Sequence, residues 1–259
     1  MKIVVCVKQT PDTAELPKVD LARAKSGELG VTMVVNPWDE FALEEGIRLS
    51  ERFKGDVTAI SIGPAQAIEA LRTAIAMGIA NAVLLTDGAF KDGDAWATAR
   101  VLAGAIKKSG AADVVITGKQ AVDGNSGLVS VGLSRLLGAS YLSGVTKVVD
   151  ISGGKITVER GMEEGKETVT ATLPAVISVA REINEPRYPS FMGIRKASKA
   201  TVPTLGLSAG QVGKAGSVME WVDMRKPPAR ATKCEMIKAD TVEQQASILM
   251  DRLLADKVL

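Results

Sequence analysis

The chain has 259 residues, 46% of them hydrophobic and 24% charged, which is ordinary for a globular protein and enough for a sizeable core. Its 32 basic and 30 acidic residues leave a net charge of +2, with no basic field to draw nucleic acid. There is no histidine, which excludes Ser-His-Asp and Cys-His nucleophilic catalysis, His-ligated metals and imidazole acid–base work.

Residues 2–8 (KIVVCVK) form a continuous apolar run rich in β-branched residues, the mark of a strand buried on both faces. A loop is expected from Gln9 to Val35. Asn36 then reads as a helix N-cap, with Pro37 at the first helical position and Asp39 and Glu40 in the first turn. That helix runs to about Phe53, with Ala42, Leu43 and Ile47 at helical spacing. The alternation repeats: strand 56–62, helix 65–77 stopped at Gly78, strand 81–86, helix 93–108 with Asp94 near its cap, strand 112–117, and helix 128–137 ending at Gly138. Strands alternating with helices of this length predict a parallel-core, doubly wound α/β sheet. After Ser140 the pattern changes. Residues 141–149, 155–160, 166–172 and 175–180 alternate apolar with polar and predict further strands, some antiparallel. Residues 183–203 are basic and Pro-containing without clear periodicity. The tail from 204 to 259 is Gly-rich, with a helix near 241–255. The predicted organisation is an α/β domain over 1–203 and a C-terminal arm over 204–259.

Cys6 and Cys234 are too far apart for a CxxC redox pair, and two thiols alone make a poor zinc site. So few cysteines fit a reducing compartment. The strand pattern begins at Lys2, and no apolar run reaches the roughly 18 residues that span a bilayer, so a cytoplasmic chain with no membrane span is expected.

In a doubly wound sheet, ligands sit beyond the carboxyl ends of the strands, near the switch point. Three strand-end loops have the chemistry for this. They are Lys8 to Asp12, Gly63-Pro64, and Gly118 to Gly127, which leads into a helix whose N-terminus could meet a phosphate. None is a GxGxxG or GxxxxGK[ST] motif. Strand-to-helix turns also require Gly, Asp and Asn, so the residues alone leave a ligand loop and an ordinary turn both open. Capping likewise accounts for Asn36-Pro37 without a ligand. The basic stretch Arg187 to Lys199 carries Phe191-Met192, a large apolar pair in a chain with only 3% aromatics. It reads as an anchor for another protein or as a plug onto the chain's own core.

Taken together, KIVVCVKQTPDTAE, NPWDEFALEEGIRL, SIGPAQAIEALRTAIAMGIANAV, TGKQAVDGNSG and above all VERGMEEGKETVTATLPAVISVAREINEPRYPSFMGIRKASK resemble the beta subunits of electron transfer flavoproteins. The resemblance covers Lys2 to about Lys199, and the tail more loosely. It implies an adenine-nucleotide-binding α/β fold and a heterodimer with an alpha subunit carrying most of an FAD site. The implied role is to shuttle electrons between dehydrogenases, such as an acyl-CoA dehydrogenase, and an acceptor oxidoreductase. Redox chemistry would belong to the FAD rather than to the chain. The beta subunit would bury an AMP, or a second FAD in its place if the complex is electron-bifurcating.

By the same resemblance, the nucleotide site would use Cys6, Asn36, Pro37, Trp38, Asp39 and Ile62, completed by Gly118, Lys119, Gln120, Ala121, Val122, Asp123, Gly124, Asn125 and Ser126. The loop 184–199 would recognise partners, with Phe191 as apolar anchor beside Met192 and with Arg195, Lys196 and Lys199 as its charges. Glu167 would pair with an arginine of the alpha subunit, and the arm 204–259 would pack on that subunit. Gly124-Asn125-Ser126-Gly127 stands where human-type and bifurcating members carry a longer stretch. A stand-alone adenine-nucleotide hydrolase would share the fold but usually has an SGGxDS-type loop, absent here after the first strand. A nucleotide-sensing protein would not need residues 140–259.

Overall fold

In the computed structural model the described residues are 1–24, 29–207, 216–220, 222, 223, 225, 228 and 234–258. They form two compact units, Met1–Met224 and Arg225–Leu259.

The first unit opens with β1 (Lys2–Val7), in which every residue after Lys2 is buried, as a strand covered on both faces must be. The expected loop from Gln9 to Val35 instead holds β2 (Gln9–Pro11) and β3 (Met33–Val35), paired antiparallel, with a tight 3-10 turn at Thr13–Lys18 and the short α1 (Leu21–Ala24) between them. Strands of three residues are too short to carry an alternation, which is why the sequence pattern passes over them. Then follow α2 (Pro37–Phe53), β4 (Asp56–Ile62), α3 (Ile68–Met77), β5 (Asn81–Leu85), α4 (Ala95–Lys108), β6 (Val114–Gly118) and α5 (Leu128–Leu137), close to the expected alternation. Asp94 caps α4 as expected, accepting from the Ala97 N–H at 2.7 Å.

The chain continues through β7 (Ser140–Ser152), β8 (Lys155–Met162), β9 (Gly165–Thr172) and β10 (Ala175–Val179). Two elements appear where no period was read: α6 (Phe191–Lys199) and β11 (Thr204–Leu205). Nine of the eleven described strands form one sheet, in the order β11-β5-β4-β1-β6-β10-β7-β8-β9. Pairing is parallel from β11 to β7 and antiparallel across β7-β8-β9. The chain thus steps outward from β1 through β4 to β5, and α4 returns it to β6 on the other side of β1. That reversal opens a crevice at the carboxyl ends of β1 and β6.

Two apolar layers cover the sheet. Ile3, Val5 and Val7 face α2 and α3. Val4 and Cys6 face α4 and α5. Side chains alternating across a pleated strand produce this division. Val5 pairs with Ala59 on one side and Ile116 on the other, so β1 is the centre of both layers.

The second unit contains α7 (Val242–Ala255), opened by a capping box between Thr241 and Gln244. No residue of α7 is buried, and Val242, Leu249, Met250 and Leu254 are exposed. No described helix is long and apolar enough to cross a membrane.

Candidate functional site

A cleft of about 740 Å³ lies along the carboxyl edge of the sheet, a volume typical of small-molecule sites. Of the residues expected to bind a nucleotide, Cys6, Asn36, Asp39 and Ile62 line it. So do Gly118, Lys119, Gln120, Ala121, Gly124 and Ser126 of the β6–α5 loop. Pro37, Trp38, Val122, Asp123 and Asn125 are not in the lining; most of them make contacts that hold the lining loops.

Asn36 occupies the N-cap position of α2, yet its side chain makes no capping bond there. This corrects the capping role expected of it. Its Nδ2 donates to the Gln120 carbonyl at 2.9 Å, and its Oδ1 accepts from the Val122 N–H at 3.1 Å. The side chain therefore pins the 118–127 loop to the start of α2. Pro37 begins the helix, and the Trp38 ring lies under the Lys119 ammonium, 5.8 Å from the ring centre. Asp123 bonds Lys8 Nζ at 2.7 Å and so ties the end of β1 to the same loop. Asn125 accepts from Gln120 Nε2 at 3.0 Å.

Asp39 is the buried centre of this arrangement. It accepts from the backbone N–H of Lys8 at 2.8 Å and of Gly118 at 3.2 Å, joining the ends of β1 and β6. Burial pushes its carboxyl up to about 7, against the pull of hydrogen bonds from Lys8, Asn36 and Gly118. Burial first, and the Asp39 carboxylate second, push the Cys6 thiol up to about 12. Cys6 is therefore an un-ionised wall residue and no nucleophile. A Cβ on Gly118 would come within 2.5 Å of Asp39 Oδ1 and 2.6 Å of the Trp38 carbonyl carbon. The close approach of the start of α2 therefore requires glycine there.

The N-terminus of α5 faces the same cleft. Gly127 precedes it with φ of 62°, a conformation that favours glycine, and offers no side-chain cap. Leu128 N–H reaches only Ser126 Oγ, at 3.5 Å, and the first turn carries no acid. By contrast, α4 begins nearby with its donors taken up by Asp94. The start of α5, with no cap and no acid in its first turn, is thus a helix end able to receive an anion. In the lining of the same cleft, the Thr117 hydroxyl is buried without a hydrogen-bond partner among the described residues. A buried hydroxyl in a cleft wall is costly to leave unpaired, so it fits contact with a polar ligand.

The far wall was not anticipated. It consists of the β5–α4 loop, with Thr86, Asp87, Phe90 and Lys91, together with Thr98 and Leu102 of α4. The signal was available: Asp87-Gly88 and Asp92-Gly93 are turn pairs directly after a strand of the same parallel sheet. Asp87 is held below the usual carboxylate range by hydrogen bonds from the Ala89 and Leu207 N–H groups. Among the described residues no cluster of His, Cys, Asp and Glu could hold a metal ion.

The expected partner-binding residues lie elsewhere. Phe191, 81% exposed, and Met192 begin α6, after Tyr188 at 94% exposure. Phe191 is therefore no part of the chain's own core. Arg195, Lys196 and Lys199 are exposed on the same helix, whose start Ser190 caps through a 2.9 Å bond from the Gly193 N–H. Glu167 is on β9, where its carboxylate meets Arg160 of β8 at 3.1 Å.

A family model described as the electron transfer flavoprotein domain matches residues 26–209. The electron transfer flavoprotein subunit beta of Thermoanaerobacterium thermosaccharolyticum is 36% identical, covering 100% of both chains. That of Megasphaera elsdenii is 34% identical, again over 100% of both. The caffeyl-CoA reductase-Etf complex subunit CarD of Acetobacterium woodii is 36% identical over 98% of each chain. With the doubly wound sheet and its switch-point cleft, these matches place the chain in the electron transfer flavoprotein family, as one of its beta subunits.

Proposed function

We propose that this subunit holds AMP in the switch-point cleft and joins an alpha subunit that carries the redox-active FAD. The observation that supports the nucleotide is the pairing of the uncapped α5 N-terminus with the unpartnered Thr117 hydroxyl on one cleft wall. The start of α5 would receive the phosphate, and Asn36 and Asp39 would keep the loop that faces it in register. Phe90, Leu102 and Val129 offer the apolar surface a base needs. The flavin supplies the electron chemistry when bound, and the chain's own residues bind, orient and exclude water. An inert Cys6 and the absence of histidine agree with a carrier that has no catalytic side chain of its own.

The α6 surface would dock redox partners such as an acyl-CoA dehydrogenase and an acceptor oxidoreductase, through Phe191 and Met192 with Arg195, Lys196 and Lys199 steering. Glu167 would face an arginine of the alpha subunit. Of the arm 204–259, the start is held in this chain's own sheet as β11, and the part carrying α7 would pack on that subunit, because α7 exposes apolar residues and buries none. Deleting residues 236–259 should then weaken the heterodimer more than it lowers the melting temperature of the isolated chain. Unpaired Cys6 and Cys234 fit work in the reducing cytoplasm.

A second reading rests on the length of the cleft, which continues past the nucleotide loop to the β5–α4 loop. That room favours a second FAD in place of AMP, and with it electron bifurcation. Denaturing the purified heterodimer and counting released cofactors separates the two. One FAD with one AMP supports the first reading, and two FAD without AMP the second. FAD with no nucleotide attributable to this subunit would refute both.

A further inference from the structure

The segment from β10 to α6 is bound to α2 more tightly than a connection requires. Asn184 Nδ2 donates to the Phe41 carbonyl at 3.1 Å and to Glu45 Oε2 at 3.2 Å. Arg48 donates to the Glu185 carbonyl at 3.4 Å. Arg187 makes the strongest set. Its Nε is 2.9 Å from Glu44 Oε2, its Nη1 is 2.9 Å from Glu51 Oε1, and its backbone N–H also donates to Glu44 Oε2 at 3.2 Å. The α2 residues involved, 41, 44, 45, 48 and 51, recur at helical spacing and form one stripe.

The helix that follows needs such a tether. At nine residues, α6 is shorter than the roughly 12–15 at which isolated helices become even marginally stable. Its inward side is small: Ala197 is buried, and a Cβ on Gly193 would collide with the Ala76 carbonyl at the end of α3. Its outward side carries Phe191, Met192 and Ile194. The helix thus rests on α3 through small residues only, and its apolar weight faces away from the chain. The anchor at its approach is strong in comparison, because the Glu44 side chain is only 2% exposed and accepts from both Arg187 and Arg48.

We propose that Arg187 is a positioning residue for electron transfer between protein partners. By gripping Glu44 and Glu51 it fixes the segment from which α6 departs. The apolar anchor then meets a partner pocket already in place, and the ordering cost is not charged to docking. This rests on the docking role of α6, so the experiment must tell the failure of one from the failure of the other.

The assay uses the heterodimer, with a purified acyl-CoA dehydrogenase as donor and an indophenol dye as final acceptor. Arg187→Gln should raise the KM for the dehydrogenase by about three- to tenfold, the scale of ordering a few rotamer-rich side chains. It should leave kcat, the flavin spectrum and direct flavin reduction by dithionite unchanged. The double variant Glu44→Gln/Arg187→Gln, which leaves no unpaired buried charge, should show the same KM. Phe191→Ala should raise KM alone, and adding Arg187→Gln to it should raise KM little further. If Phe191→Ala leaves KM unchanged, the docking role itself fails. If Phe191→Ala acts but neither Arg187 variant does, docking stands and the positioning role is refuted. Loss of the heterodimer in both Arg187 variants would also refute it, by making Arg187 a residue of the fold.

Discussion

Asp39 and Glu44 are both buried carboxylates on α2, little more than a turn apart, and their acidities move in opposite directions. Burial pushes Asp39 up to about 7, because its partners are backbone and amide donors without charge. Burial acts on Glu44 too, but hydrogen bonds from Arg187 and Arg48 outweigh it and hold the carboxyl below its usual range. Whether a guanidinium is present decides the sign. The cleft end of α2 is thus built from neutral hydrogen bonds around a charge that is hard to keep. The stretch that meets Arg187 is built from ion pairs that keep their charge easily.

The largest test of this contrast is at the cleft end. Gly118→Val should cost at least about 3 kcal/mol, since the added atoms meet Trp38 backbone that cannot yield. Urea denaturation measures it, and a variant as stable as the wild type would mean that the junction of α2 and β6 is not rigid. Asn36→Ala should follow at about 1–3 kcal/mol, because two loop groups lose their partner. It should also reduce the nucleotide retained per heterodimer. Unaltered retention would separate the loop's anchoring from ligand binding.

The dependence on pH sharpens the contrast. The carboxyl of Asp39 rises from 3.8 when unfolded to about 7 when folded. Its contribution to stability is complete below pH 3.8 and is lost as pH rises through about 7. Glu44 has the opposite sign. Its contribution is present above pH 4.5 and is lost as pH falls through its lower folded value. Denaturation at several pH values should therefore show Asp39→Asn flattening the decline toward neutral pH, with Glu44→Gln weakening the loss in acid. A common slope change in both variants would contradict the assignment. The smallest effect on stability is expected of Phe191→Ala, within about 0.5 kcal/mol for so exposed a side chain. A drop in melting temperature proportionate to the loss of partner-dependent rate would make Phe191 packing after all.

Much of the parallel core was legible because each strand and helix carries its own period. Asn36 shows where that ends. Its position at the head of a helix is visible in local pattern, but its work is done on Gln120 and Val122, far along the chain, and no local pattern encodes that. The nine residues of α6 include a glycine and an outward apolar face, so the usual amphipathic signal is reversed. The wall from Thr86 to Lys91 was missed for a different reason. Its turn pairs Asp87-Gly88 and Asp92-Gly93 are visible in the sequence, but such pairs follow many strands, and only the topology brings β5 beside β4 and so to the cleft.

The short strand β11 has a further consequence. It pairs with β5 at one edge of the sheet, while β10 is on the far side of β4, β1 and β6. The segment carrying α6 is therefore a strap across one face of the sheet, fastened at both ends to strands that do not border each other. A strap of this kind can exchange its exposed residues without altering either fastening. The exposed positions among 188–196 can then change while the cleft, on another edge of the same scaffold, is left as it is.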